Sequence, residues 1–405
     1  MRAVPIAPAN EELRIPRSLP LLIAALSMIG PFATDTYLPS FREIEHSLGA
    51  SPLEVQQSLT AYLVPFALMS FWHGSISDAL GRRRVVLVAF ALLAIGSIGC
   101  ACAPSIRVLW LFRALQGVAS GAGLVVGRAV VRDVYDGHAA QRVMASVTMI
   151  FTIGPAIAPV IGGWLHEWFG WRSVFIFLAL FAATVGLWSA LGLPETLHPD
   201  RRQPLRPGFL ARSYLRTLTH GRFLAAAGAA AFNFTAIFLY ISSAPVFLMR
   251  HLSLRETQFY WLFIPVPASI LLGAALSRRL AGRVTPARTI MLGYVAMILA
   301  VIGNVGFHAL HRAQLPWSVL PLFVDATGMA LAMPSLILGG LDIFPAQKGL
   351  AASCQTFLMT GINAVTAGLL SPLANASPLR LALVSALLTL AGLLCTLGFF
   401  ARRRA

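Results

Sequence analysis

Between residues 53 and 103 the chain reads as two apolar windows of membrane-spanning length, 53–76 and 84–103. They are joined at Gly74-Ser-Ile-Ser-Asp78-Ala-Leu-Gly81-Arg82-Arg83-Arg84. A spanning helix needs about 20 predominantly apolar residues. The alternation of apolar window and short basic turn therefore describes a chain that crosses a bilayer and returns. It recurs outward in both directions. Further windows lie at 19–41, 106–131, 142–166, 172–193, 222–249, 257–280, 286–309, 316–340, 347–372 and 378–400, twelve in all. They leave no stretch for a soluble catalytic domain. Only 11% of the 405 residues are charged and 57% are hydrophobic, an apolar excess that only lipid can solvate.

The net charge of +16 would suggest nucleic acid in a soluble protein, but its placement excludes that. With a cytoplasmic N-terminus, 23 of the 31 basic residues fall on the cytoplasmic side, including Arg82–Arg84, Arg128, Arg132, Arg142, six between Arg201 and Arg222, Lys348 and Arg402–Arg404. Seven fall outside, and Arg113 lies within a span. This bias places both termini in the cytoplasm of a multi-pass protein of the cytoplasmic (inner) membrane. Residues 17–33 lack a cleavage site and are kept as the first span. The four cysteines sit in apolar windows without metal or redox spacing and read as small packers.

The polar stretch from Pro194 to about Gly221, with Pro199, Pro204 and Pro207, reads as a non-helical linker. It divides the chain into units 1–193 and 222–405 around 194–221. The two units resemble each other. Val108–Gly117 matches Val319–Gly328 at five of ten positions, Ala140-Gln-Arg142 matches Ala346-Gln-Lys348, and Gly74 corresponds to Gly273. The offsets are all near 200 residues and pair span n with span n+6. Repeats of the same topology are the plan of one large transporter class. The expected fold is an all-α membrane protein of twelve helices in two pseudo-symmetric six-helix bundles.

The loop after span 2 resembles the major facilitator superfamily signature G-x-L-x-D-x-x-G-R-R/K, with Gly74, Asp78, Gly81, Arg82 and Arg83 in register. Gly81 permits the tight turn, and Asp78 can meet Arg82 and a helix N-terminus at once. Together with Arg132 and Asp133 they form a candidate cytoplasmic gate. The second-half counterpart lacks the Asp.

Span 4 carries Leu109-Trp-Leu-Phe-Arg113-Ala-Leu-Gln116-Gly117, similar to a second superfamily pattern with a buried Arg. An Arg inside a span is a functional hypothesis by default, the alternative being one that snorkels to the outer surface. Span 5 carries Gly154-Pro155-Ala-Ile-Ala-Pro159-Val-Ile-Gly162-Gly163, which looks like the family's antiporter motif. Thr34-Asp35-Thr-Tyr37-Leu-Pro39, Gly127–Asp133 and Leu193-Pro-Glu-Thr196 resemble the Bcr/CflA-type drug:proton antiporters.

That resemblance implies a proton-coupled exporter of small amphipathic molecules, with Asp35 as leading proton site and Arg113 and Asp325 as further coupling candidates. At ~1.5 Å per residue Asp35 stands about 24 Å along span 1 and Arg113 about 10 Å in from the outside, so the two are expected at similar depth. Asp325 reads either as a second proton or cation site or as a residue at the outer rim. Tyr37, Gln116, Asn233, Tyr240, Thr356, Thr360 and Asn363 are candidate cavity residues. The span 11 stripe, which also holds Ser353, suits either ligands or helix–helix hydrogen bonds. His73 reads as interfacial.

The partners implied are substrate, protons and lipid for a monomer, without nucleic acid, cofactor or metal. Rival readings are an importer or facilitator of a nutrient or siderophore, and a membrane-embedded enzyme. The enzyme is opposed by the lack of clustered His, Asp or Glu at a membrane face.

Overall fold

A computed structural model describes residues 16–198, 200, 202 and 207–401, and their regular structure is all helical, with no strand among them. Arg2, Arg14, Arg201, Arg206, Arg402–Arg404, Pro199 and Pro204 lie outside them. The spans are Leu19–Asp35, Pro52–Met69 with Trp72–Leu80, Arg82–Ala101, Ile106–Val134, Gly137–Phe169 and Trp171–Gly192 in the first half. In the second they are Gly221–Ser242, Pro265–Leu280, Pro286–Leu310, Leu320–Leu341, Lys348–Val365 and Pro378–Ala401.

Eleven of the twelve qualify as membrane spans on length and hydropathy alone. Span 2 does not, because its helix is interrupted at Ser70–Phe71 and carries Glu54, Gln56 and Gln57 in its first turns. The Ser70 hydroxyl donates to the Ala67 carbonyl at 2.7 Å, a local bond that competes with the helical ladder. Span 1 also departs from a single rod. After Asp35 it turns through the short helix Leu38–Ser40 into Phe41–Leu48.

The helix pairings repeat between halves. Spans 1 and 5, 2 and 4, 3 and 4, 3 and 6, and 1 and 4 are neighbours; so are 7 and 11, 8 and 10, 9 and 10, 9 and 12, and 7 and 10. The halves meet along two seams, span 2 with span 11 and span 5 with span 8. Leu, Ile and Val side chains cover the outside, and Leu191 and Leu310 are about four-fifths exposed, as expected where lipid is the solvent. Exposed Trp164, Trp168, Trp261 and Trp317 gather on one face, a pattern of membrane-interface belts. We call this the opposite face. The terminal face is the one where span 1 begins and span 12 ends.

The segment 194–221 is not wholly irregular, as its composition suggests. Pro207–Thr219 is a helix with Pro at its first position, where the missing N–H costs nothing. Leu210, Tyr214 and Leu218 face Phe71 and Leu358 across the two halves, while Arg212 and Arg216 stay exposed. This amphipathic period is short and easily hidden by the flanking prolines.

Candidate functional site

On the wall of the first half, Arg113 is fully buried. It does not snorkel. One guanidinium nitrogen donates to the Ala33 carbonyl of span 1 at 2.8 Å and to the Gln116 amide oxygen at 2.7 Å. Its Nε reaches the Ser58 carbonyl at 3.5 Å. The guanidinium lies 4.3 Å from the Tyr37 ring centroid and 4.6 Å from that of Tyr62, so two aromatic faces supply what a carboxylate would otherwise provide. Gln116 in turn donates to Ser97 of span 3 at 2.8 Å. Arg113 therefore ties spans 1, 2 and 4 together. Among the described residues it forms no ion pair with Asp35.

Asp35 is 5% exposed and closes the first helix of span 1, two residues from the Ala33 carbonyl that Arg113 holds. It faces no cation within ion-pair distance among the described residues. The neighbouring Thr34 and Thr36 hydroxyls turn back to their own helix, onto Gly30, Pro31 and Phe32 carbonyls.

The glycines of span 5 bring other backbones close to this point. A Cβ on Gly162 would overlap the Thr36 carbonyl, one on Gly163 would press on the Glu256 backbone of the other half, and one on Gly154 would stand 3.2 Å from Pro31. Pro155 and Pro159 lie inside the same 33-residue helix. This motif is thus a seam, against span 1 at one glycine and against the chain entering span 8 at the next. The opposite face is further closed by the Gln56 amide donating to the Ser242 carbonyl at 3.1 Å and Gln57 to that of Gly368 at 2.7 Å. Both bonds cross between halves.

On the terminal face Arg82 is 6% exposed. It pairs with Asp78, donates to Asp133 at 3.0 Å from Nε and to the Ser77 hydroxyl at 2.7 Å. Its backbone N–H donates to Glu195 at 2.9 Å, and Thr196 donates to the same Asp133 oxygen at 3.0 Å. Arg83 donates to the Ala190 carbonyl at 2.6 Å. Gly81, at φ +99°, makes the turn that lets the chain pass beside Glu195.

Glu195 and Thr196 are members of this cluster that the sequence reading did not assign to it. Their signal was present, in the string Leu193-Pro-Glu-Thr196 after span 6. Arg132 is exposed and pairs with no carboxylate among the described residues; Gly74 borders Val125. The whole network lies within the first half and the first residues of the linker. Contact across the halves here is aromatic: the Phe71 ring lies 4.2 Å from that of Phe357, tilted by 31°, and 4.6 Å from that of Tyr214 in the linker helix, tilted by 39°, and Tyr214 donates to the Phe71 carbonyl at 2.7 Å. Burial pushes the Tyr214 phenol up from its usual range, so it remains a donor. His73 is buried, with Nε2 3.0 Å from the Val118 carbonyl, and is a packing residue of spans 2 and 4 rather than an interfacial one.

The candidate cavity residues do not converge. Gln116 faces span 3. Asn233 donates to Tyr294 of span 9 at 2.9 Å and lies against Gly392 of span 12. Tyr240 accepts from Asn304 at 2.8 Å. Tyr37 is closed off against Arg113, with its hydroxyl 3.3 Å from Ser58. Asn363 accepts from Thr235 at 2.8 Å, so part of the span 11 stripe binds a helix. Thr356 bonds its own helix at Ala352 and is half-buried, and Thr360 is buried. A seven-residue spacing on span 7 selects one face but does not say which neighbour covers it. Asp325 is 4% exposed, not at the rim. Cys100 and Cys354 are buried, while Cys102, at the end of span 3, is exposed rather than packed.

The chain is similar over nearly its whole length to an uncharacterised MFS-type transporter, YdgK, of Bacillus subtilis (strain 168): 28% identity, 95% of this chain and 94% of that one. It is 28% identical to a bicyclomycin resistance protein homologue of Haemophilus influenzae, over 65% of this chain and 66% of that one. Among solved structures, a bacterial homologue of the human lysosomal transporter Spinster superposes with a TM-score of 0.73 at 15% identity, covering 98% of each chain; at that identity the likeness concerns the fold. Residues 20–359 match the Major Facilitator Superfamily. With that match over most of the chain, and with helix pairings that repeat between two halves, the protein belongs to the Major Facilitator Superfamily and is a transporter, not an enzyme.

Proposed function

We propose that the protein is a proton-coupled efflux antiporter of small amphipathic molecules such as drugs. In this reading it works as a monomer in the cytoplasmic (inner) membrane, with both termini cytoplasmic. The moving units are 1–193 and 222–405, linked through 194–221. The observation that carries the reading is Asp35: a nearly inaccessible carboxylate beside the span 5 seam, with no cation paired to it among the described residues. A buried carboxylate is costly unless it is paired or neutralised. A proton and a cationic substrate are alternative ways to neutralise it, and two ligands competing for one charge give exchange. The resistance protein homologue supports drugs as the substrate class.

In this reading the opposite face is extracellular, and the crossing bonds of Gln56, Gln57 and the Gly163 contact close it. The Asp78–Arg82–Asp133 cluster, joined by Glu195, stiffens the cytoplasmic ends of spans 2, 3, 4 and 6 as one piece. Alternating access then breaks the seams between halves while this cluster travels intact.

The test adds the lipophilic cation tetraphenylphosphonium to detergent-solubilised protein in weak buffer and follows an indicator dye. Wild type releases protons and Asp35→Asn releases none. Equal release from Asp35→Asn removes Asp35 from the coupling. No release by wild type with any of a panel of lipophilic cations overturns the antiport reading.

A further inference from the structure

The second half holds a set of buried polar groups that the Asp35 site does not use. Tyr240 of span 7, Asn304 and His308 of span 9, and Asp325 of span 10 are each more than nine-tenths buried. Asn304 and His308 are four apart and share a helix face. The Asn304 amide donates to the Tyr240 hydroxyl at 2.8 Å. This leaves its Oδ1 without a protein partner, and the same holds for Asp325 Oδ1 and for both ring nitrogens of His308.

Asp325 stands on span 10, which packs against both span 7 and span 9. His251, just past span 7, places Nε2 3.0 Å from the Asn375 carbonyl, and the Asn375 side-chain oxygen is unpartnered too. The titratable groups on these adjoining segments are Tyr240, His308, Asp325 and His251. The arginines of the adjoining segments, Arg250, Arg312 and Arg380, are exposed and pair with none of them.

The groups are graded in depth. His308 lies two residues from the end of span 9 and Asn304 six, and Asp325 lies five from the start of span 10. At ~1.5 Å per residue these are roughly 3, 9 and 8 Å below the opposite face. Buried polar atoms in proteins are almost always satisfied by protein or by ordered water, and a buried water needs two to four polar partners. Four unpartnered acceptor or donor atoms on two adjacent spans, beside a Tyr hydroxyl, supply them. An imidazole can accept a proton on one nitrogen and release one from the other.

We propose that spans 7, 9 and 10 enclose a hydrated proton conduit that runs from the opposite face through His308 and Asn304 to Tyr240 and Asp325, separate from Asp35. A hydronium ion at the face gives its proton to one His308 nitrogen. The imidazolium then releases the proton of its other nitrogen to a water held by Asn304 Oδ1. That water passes a proton to the Asp325 carboxylate, and the ring returns to its starting tautomer when it rotates or exchanges with water. No bond other than O–H and N–H bonds changes, and no redox partner is needed. The inference rests on the proton-coupled reading but concerns a different carboxylate from the one that carries it.

The experiment is a rapid pH drop applied to purified full-length protein, followed by infrared spectroscopy of the protonated carboxyl band. Wild type gains a band that Asp325→Asn lacks. His308→Phe and Asn304→Leu gain the same band to the same final amplitude but about a hundredfold more slowly, the low end of what a positioned proton-transferring group contributes. His308→Gln, polar but unable to relay, is slowed equally and keeps the proposal testable if the Phe variant does not fold. Wild-type rates in the Asn304 and His308 variants overturn the conduit, as does an Asp325→Asn protein that loses no titrating band. Neither result touches the dye measurement on Asp35→Asn, so the two failures are distinguishable.

Discussion

Replacing Arg113 by Met tests whether this buried cation serves stability or transport. Its guanidinium makes two short hydrogen bonds, to Ala33 and Gln116, and one long one, to Ser58. Bonds to a charged group contribute about 1.5–3 kcal/mol each, so the short pair gives roughly 3–6 kcal/mol. The two ring contacts, at 4.3 and 4.6 Å, add up to about 2 kcal/mol each when desolvated. Against this stands the desolvation cost of taking the cation out of water, at least several kcal/mol, and one guanidinium nitrogen has no partner. Gain and cost are of the same order.

Met fills the slot and removes both terms, so Arg113→Met should change unfolding stability in detergent by no more than about 2 kcal/mol in either direction, within the range seen when buried ions give way to apolar residues. Arg113→Ala also opens a cavity and should lose more. Transport should fail in both variants, since the tie to the Ala33 carbonyl fixes span 1 two residues from Asp35. Thermal unfolding and vesicle transport of tetraphenylphosphonium measure the two effects separately. Wild-type transport by Arg113→Met, or a loss above about 4 kcal/mol, refutes the reasoning.

Two further outcomes follow from the seams and the terminal face. Asp78→Asn removes one of the two carboxylates on Arg82 while Asp133 remains at 3.0 Å; Asp78 is 43% exposed, so solvent screening limits the loss to about 1 kcal/mol. Folding and probe binding should persist while transport slows, and an unchanged rate counts against a gate role. Gly162→Ala puts a methyl group into the Thr36 carbonyl, an overpacking of about 1–3 kcal/mol. Cysteine cross-linking across the opposite face should show a looser seam; unchanged cross-linking would mean the contact does not hold that face shut.

The architecture was legible because lipid imposes it. Spans must be long and apolar, and their number and their repeat could be read from windows and offsets. The glycines of spans 4 and 5 were legible for the same reason: Gly117 faces the Tyr62 carbonyl and Gly123 that of Leu26, contacts that only a missing side chain allows. What was not legible was azimuth. In a bundle every face of a helix can be buried, so a polar residue on span 7 signals a partner without naming it. Asn233 found Tyr294 and Tyr240 found Asn304, neither on the other half. Asp35 and Arg113, expected at similar depth, form no ion pair among the described residues. Equal depth is necessary for a contact, but Arg113 had a backbone carbonyl and two tyrosine rings nearer to hand.

These misses sharpen the coupling argument. Had Arg113 neutralised Asp35, the pair would be a closed unit, and a proton would compete with an arginine rather than with a substrate. Instead the cation is held by carbonyl and amide dipoles and two rings, and in the proposed cycle the carboxylate is left to exchangeable ligands. Asp35 is also one residue from Thr36, whose carbonyl rests on Gly162, and Gly163 next to it bears on the Glu256 backbone across the halves. No side chain intervenes at either contact, so a shift of span 1 at Asp35 has no soft group to absorb it before it reaches the seam with span 8. In the proposed cycle this is the shortest mechanical path by which the occupant of Asp35 biases the closure of the opposite face. It runs through the two glycines because any larger residue there would hold the seam apart whether Asp35 was occupied or not.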